Sequence, residues 1–157
     1  MQTLTWLEHT AIANAIRSSI WMYPALETAH YIGLSLLVGG IMLIDLRLLG
    51  VAKNLPLKSM LGLLPFVWVG FIINVTTGTL IFIYGATSFG LNKAFQLKMV
   101  LLVLAGINAM IFTVAAARSG GDWVSIERVP VSVRLIATLS LVFWIGVVTA
   151  GRWMAYV

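Results

Sequence analysis

The chain has no cysteine. Disulfides, thiolate metal sites and thiol nucleophiles are therefore excluded. Charge is scarce too: 10% of its 157 residues are charged, against roughly 25% in an average soluble chain. Only two histidines occur, His9 and His30, which is thin for a zinc or copper centre that wants three or four ligands. There is no HExxH helix, no phosphate-binding glycine loop and no nucleophile elbow, so no standard motif marks an enzyme. Internal repeats and low-complexity segments are missing as well. The N-terminal stretch lacks a basic n-region, and Glu8, His9 and Arg17 interrupt its apolar run. A cleaved signal peptide is therefore not expected.

Apolar surface is what the chain has in excess. Hydrophobic residues make up 61% of it, and its mean hydropathy is +1.01. This is the composition of an integral membrane protein. Four stretches, 21–49, 61–84, 94–117 and 131–156, are long enough to cross a hydrocarbon core that takes about 20 apolar residues. A spanning segment must satisfy its own backbone hydrogen bonds, so each is expected to be a helix. The fold expected is all-α: one domain, a membrane four-helix bundle. Ahead of it, "TLTWLEHTAIANAIRSS" places Leu4, Leu7, Ala11 and Ala15 at helical spacing. That pattern predicts a short amphipathic helix over 4–17, lying at the interface or packed on the bundle end, with Thr5 and Glu8 as a capping box.

The net charge of +5 sits in short loops and at segment ends. This reads as topology control, not nucleic-acid binding. Arg47, Lys53, Lys58, Arg118, Arg128 and Arg134 fall on one side; Arg17, Lys93, Lys98 and Arg152 fall on the other. The positive-inside rule then puts both termini outside, which in a bacterium is the periplasmic face of the inner membrane.

Ionisable residues inside spans are functional candidates by default. Glu27 and His30 are three apart and share a helix face. Lys98 in the third span and Arg152 in the fourth fall near the same outer level, so either base can neutralise Glu27. The alternative roles are structural: Glu27 and His30 as a packing lock, Lys98 and Arg152 as basic side chains snorkelling to the headgroups. On the second span, Gly70, Asn74, Thr77 and Gly78 form a small and polar stripe, read mainly as helix-packing contact, with Asn108 on the third span a candidate partner for Asn74. Ser35 with Gly39, and Gly33 with Gly40, offer further small surfaces for helix contact or homo-oligomerisation. At the inner side, Asp45 is expected to tie to Arg47 or Arg134, within a charged face that also holds Asp122, Glu127 and Arg128. Met22, Met99 and Met154 are soft outer-side groups for Cu(I), though methionine in a membrane helix is usually packing.

The segments "ETAHYIGLSLLVGG…DLRLLG", "AFQLKM" and "GRWMAYV" carry a resemblance over most of the chain. It resembles a family of small bacterial inner-membrane proteins of unknown function. The "H…LLVGG" core is more weakly similar to CopD-type copper-resistance membrane proteins and to four-helix membrane b-type cytochromes. That wider resemblance implies a haem b cofactor with His30 as an axial ligand. It also implies Lys98 and Arg152 as partners of the propionates, and Glu27 as a group orienting His30. The sequence departs from the cytochrome pattern in having one intramembrane histidine in place of a pair. A second ligand would come from His9, from a methionine such as Met99, or from another subunit. A haem-binding electron-transfer protein is thus the first expectation. A small transporter or proton-coupled permease is the second, and a structural or assembly subunit of a membrane complex the third. The partners expected are the lipid bilayer, a second copy of the chain and a redox subunit.

Overall fold

A computed structural model describes residues 2–51, 53–118 and 129–156. Among them there is no strand. The helices are α1 (Gln2–Glu8), α2 (Ala11–Ser18), α3 (Met22–Leu48), α4 (Leu57–Leu61), α5 (Leu64–Tyr84), α6 (Ala86–Leu91), α7 (Lys93–Arg118) and α8 (Val131–Trp153). Four helical spans are long and apolar enough to cross a membrane: α3, α4 continued into α5, α7 and α8. The protein is therefore an all-α, multi-pass membrane bundle. Asp122, Glu127 and Arg128 lie outside the described residues.

The four prolines sit where a helix tolerates a missing N–H: Pro24 and Pro65 in first turns, Pro56 and Pro130 as N-caps. At its other end α3 closes with Gly50, at φ +94°. Val51 N–H reaches the Leu46 carbonyl (2.9 Å) and Gly50 N–H the Arg47 carbonyl (3.1 Å), a Schellman closure that needs a residue able to take positive φ. On the outside of the bundle the hydroxyls of Thr28, Ser35, Thr79, Thr113, Thr138 and Thr149 each donate to the carbonyl four residues back. Helices in lipid use this device to leave no polar group unpaired. Around those hydroxyls the surface is apolar, with Ile72, Val103, Leu135 and Val142 exposed.

The spans form a row, not a closed square: α3 packs on α5 and α8, and α7 packs on α8. Glycine makes the α3–α5 seam close. A methyl group on Gly70 would stand 2.6 Å from both the Gly33 carbonyl oxygen and the Leu37 nitrogen, and one on Gly40 would stand 2.5 Å from Val67 Cγ2. Gly39 and Gly106 face open space. Of the small pairs on α3, then, Gly33 and Gly40 are used inside the chain, whereas Ser35 and Gly39 are not. One apolar cluster at mid-bundle joins Leu37, Val38, Val67, Ala105, Trp144 and Val147. A second, nearer the C-terminus of α3, joins Ile44, Leu48, Leu57, Val133 and Ala137.

The N-terminal amphipathic segment is two helices, broken at His9 and Thr10. The Thr10 hydroxyl caps α2 through Ala13 N–H (3.4 Å). The Thr5–Glu8 capping box does not form; Thr5 donates to the Gln2 carbonyl within α1. The Glu8 carboxylate instead accepts from Thr87 N–H at the start of α6 (2.8 Å). Arg17 donates to the Glu8 carbonyl and to the Tyr84 carbonyl (2.7 and 2.8 Å), with its guanidinium over the Tyr84 ring. These contacts clamp α1, α2 and α6 over one end of the bundle, the end that holds His30.

Candidate functional site

His30 lies two turns into α3 and is half-buried. Its Nδ1 is 2.9 Å from the Thr77 hydroxyl on α5. Thr77 is buried, and its hydroxyl also lies 2.7 Å from the Ile73 carbonyl, which can only accept. The single hydroxyl proton goes there, so the His30 contact must run the other way, with Nδ1–H donating to the Thr77 oxygen. This assigns the tautomer: in the neutral ring Nδ1 carries the proton and Nε2 keeps its lone pair. Gly78 makes room for the ring, since a methyl group there would stand 3.3 Å from His30 Cε1.

Lys98 enters the same end from α7. It is half-buried, and its stem and ammonium lie over Gly151 of α8, 3.6 Å from where a methyl group on that glycine would be. Its positive charge acts on the His30 ring across the bundle. Among the described residues no carboxylate forms an ion pair with Lys98. Between α5 and α7, which do not pack along their lengths, the stacked rings of Phe82 and Phe95 (centroids 5.3 Å apart) bridge the same end.

Neither Glu27 nor Arg152 forms a hydrogen bond or ion pair with His30 among the described residues. Glu27 lies one turn from Tyr23 on α3, close enough for its charge to act on that phenol. Arg152 is exposed and donates to the Tyr156 hydroxyl at 2.9 Å, its guanidinium over that ring. His9 is exposed, on the turn between α1 and α2. Met22 and Met99 are exposed on α3 and α7. Among the described residues there is no cluster of three His, Asp or Glu able to hold a metal ion.

Deeper in the bundle, the polar side chains tie helices together. The Asn74 amide donates to the Gly70 carbonyl of its own helix (3.1 Å) and lies against Gly33. Buried Asn108 donates to the Ile136 carbonyl of α8 at 3.1 Å. The expected Asn74–Asn108 pair is therefore absent: the two residues serve different seams, α3–α5 and α7–α8. Asp45 lies near Ser140 of α8 and, among the described residues, forms no ion pair with Arg47 or Arg134. Arg47 is buried, and its Nε donates to the Leu55 carbonyl at 2.6 Å, while Arg134 is exposed at the start of α8. Thr77 as the partner of His30 and Ser140 as the neighbour of Asp45 are the two placements that sequence reasoning missed. Ser140 had a signal, because Val133, Ala137, Ser140, Trp144 and Val147 recur at the spacing of one buried face.

Haem b is the cofactor that the cytochrome resemblance implies, and the donor chemistry fits one axial position. An imidazole whose Nδ1–H is committed to a hydrogen bond offers Nε2 in the tautomer an iron needs. The Lys98 ammonium, which has no ion-pair partner among the described residues, supplies a counter-charge for a carboxylate. A bis-histidine arrangement does not fit, because among the described residues no second imidazole lies inside the bundle. Two shallow, open depressions, about 410 and 300 Å³, lie along the outside of α7, away from His30.

No curated protein and no solved structure matches the chain. A family profile does, over residues 5–157, so nearly the whole chain is covered. The chain belongs to DUF6644, a family of unknown function.

Proposed function

We propose that this protein is a redox component of a bacterial inner membrane that binds one haem b at the His30 end of the bundle. His30 Nε2 would hold the iron, and Lys98 would be the counter-charge to a propionate. The observation that carries this reading is the His30–Thr77 hydrogen bond, whose direction leaves the Nε2 lone pair free. Bound haem supplies one-electron chemistry. The chain's own groups do the rest. Thr77 holds the ring and its tautomer, Gly78 leaves the ring its space, and the half-buried ammonium of Lys98 favours a carboxylate beside it. On the positive-inside reading this end faces the periplasm.

The test is the visible spectrum of detergent-purified protein, produced with ample haem, as isolated and after reduction. The expected result is a Soret band in stoichiometric amount. With a single histidine ligand, the reduced form is expected to bind carbon monoxide. A featureless spectrum from folded protein overturns the reading.

A further inference from the structure

Asp45 takes no part in the His30 site. It lies fifteen residues further along α3, about 22 Å away at 1.5 Å per residue. Only 7% of it is exposed. Its position is where the two apolar clusters meet: Ile41 packs on the first, and Ile44 and Leu48 belong to the second. On α8, Ser140 falls between Ala137 and Trp144, one from each cluster. Ser140 lies close enough to interact with the Asp45 carboxyl group. One carboxyl oxygen, Oδ2, is sealed from the surface and has no hydrogen-bond partner among the described residues.

Among the described residues, the charged groups of the elements around it are engaged elsewhere or exposed. Arg47, two residues on, faces away around the helix and donates to the Leu55 carbonyl. Arg134 at the start of α8, Lys58 on α4 and Arg118 at the end of α7 are exposed. Lys58 is the one charged residue of the α4–α5 span. Among the described residues none forms an ion pair with Asp45. An ionised carboxylate in such a setting would have one hydroxyl in place of its hydration shell and no compensating charge, and buried carboxyls so placed neutralise.

We propose that Asp45, beside Ser140, is a membrane-embedded proton-binding site, whose carboxyl group is protonated in the resting protein. The site lies one turn from the C-terminal end of α3, close to the aqueous phase on that side, from which it loads. It gives the bundle a proton-holding group at the end opposite His30, and it stands whether or not His30 binds haem.

Infrared spectroscopy of the full chain in lipid at neutral pH tests this. Asp45 and Asp122 are the only aspartates. Labelling aspartate with ¹³C at the side-chain carboxyl in an Asp122→Asn protein therefore isolates Asp45 without altering it. The expected spectrum has an isotope-shifted carbonyl stretch of a protonated carboxylic acid, which Asp45→Asn removes. Asp45→Asn, a neutral group of the same shape, is expected to fold with an unchanged midpoint of thermal unfolding. Paired carboxylate bands in place of the acid carbonyl overturn the proposal. So does loss of the acid band when sodium replaces choline at constant pH, which would make the site one for a metal cation.

Discussion

Replacing Gly70 by alanine tests whether the α3–α5 seam is set by backbone contact. The new methyl group would stand 2.6 Å from the Gly33 oxygen and the Leu37 nitrogen, and 2.9 Å from Leu36 Cβ. Ordinary contact distances are about 3.5–4.0 Å, so the helices must part by about 1 Å. Two of these atoms are backbone and the third is a Cβ fixed to it, so none can rotate aside. Overpacking of this kind costs about 1–3 kcal/mol, and a backbone-to-backbone clash belongs at the upper end. Against this, an alanine in a helix interior gains about 1 kcal/mol over glycine. The net expectation is a loss of about 2 kcal/mol, the balance of those two terms. Gly39→Ala and Gly106→Ala are the internal controls, because nothing lies within 4 Å of either added methyl; both are expected to be neutral or slightly stabilising. The assay is thermal unfolding in detergent, followed by circular dichroism. If Gly70→Ala unfolds at the same temperature as the two controls, the close seam is wrong, and with it the register that brings Thr77 to His30.

Three further outcomes follow from the same geometry. Thr77→Val removes the acceptor of the His30 Nδ1–H while keeping the shape; haem affinity is expected to fall about 10–100-fold, as for other partners of ligating histidines, with Thr77→Ser close to wild type in a haem titration. Lys98→Met removes a positive charge beside the proposed haem, so the reduction potential is expected to move negative in a spectroelectrochemical titration, while Lys98→Arg holds it; an unmoved potential in Lys98→Met separates Lys98 from the cofactor. Asn108→Ala breaks the bond to the Ile136 carbonyl, and since such bonds in membrane bundles average about 0.6 kcal/mol, only a small drop in unfolding temperature is expected. A loss as large as that of Gly70→Ala would give Asn108 a larger role than joining α7 to α8.

Hydropathy made the all-α membrane bundle legible, because the bilayer imposes both the length of a span and its helical backbone. The stripe Gly70, Asn74, Thr77 and Gly78 was legible as a packing face for a similar reason, since small residues permit close approach. The partners across each seam were not legible. Spacing places Glu27 on one face with His30, yet His30 bonds Thr77 of α5. That partner depends on how α3 slides against α5, which Gly33, Gly40 and Gly70 set through contacts far apart in sequence. Asn74 and Asn108 looked complementary for the same reason; with α3 and α8 in the middle of the row, they serve separate seams. Asp45 and Arg47 are two residues apart and so point to different sides of α3, which is why a pairing drawn from opposite charge failed.

Chemical rescue tests whether His30 Nε2 binds a haem iron, as proposed. His30→Gly leaves a space the size of the ring, into which free imidazole can diffuse. Purified His30→Gly, supplied with haem, is expected to lack the wild-type Soret band and to recover it when imidazole is added, whereas wild type is unchanged. A His30→Gly protein that keeps the full band without imidazole would show that the iron is held elsewhere, and a folded wild type that never takes up haem would rule out the haem site.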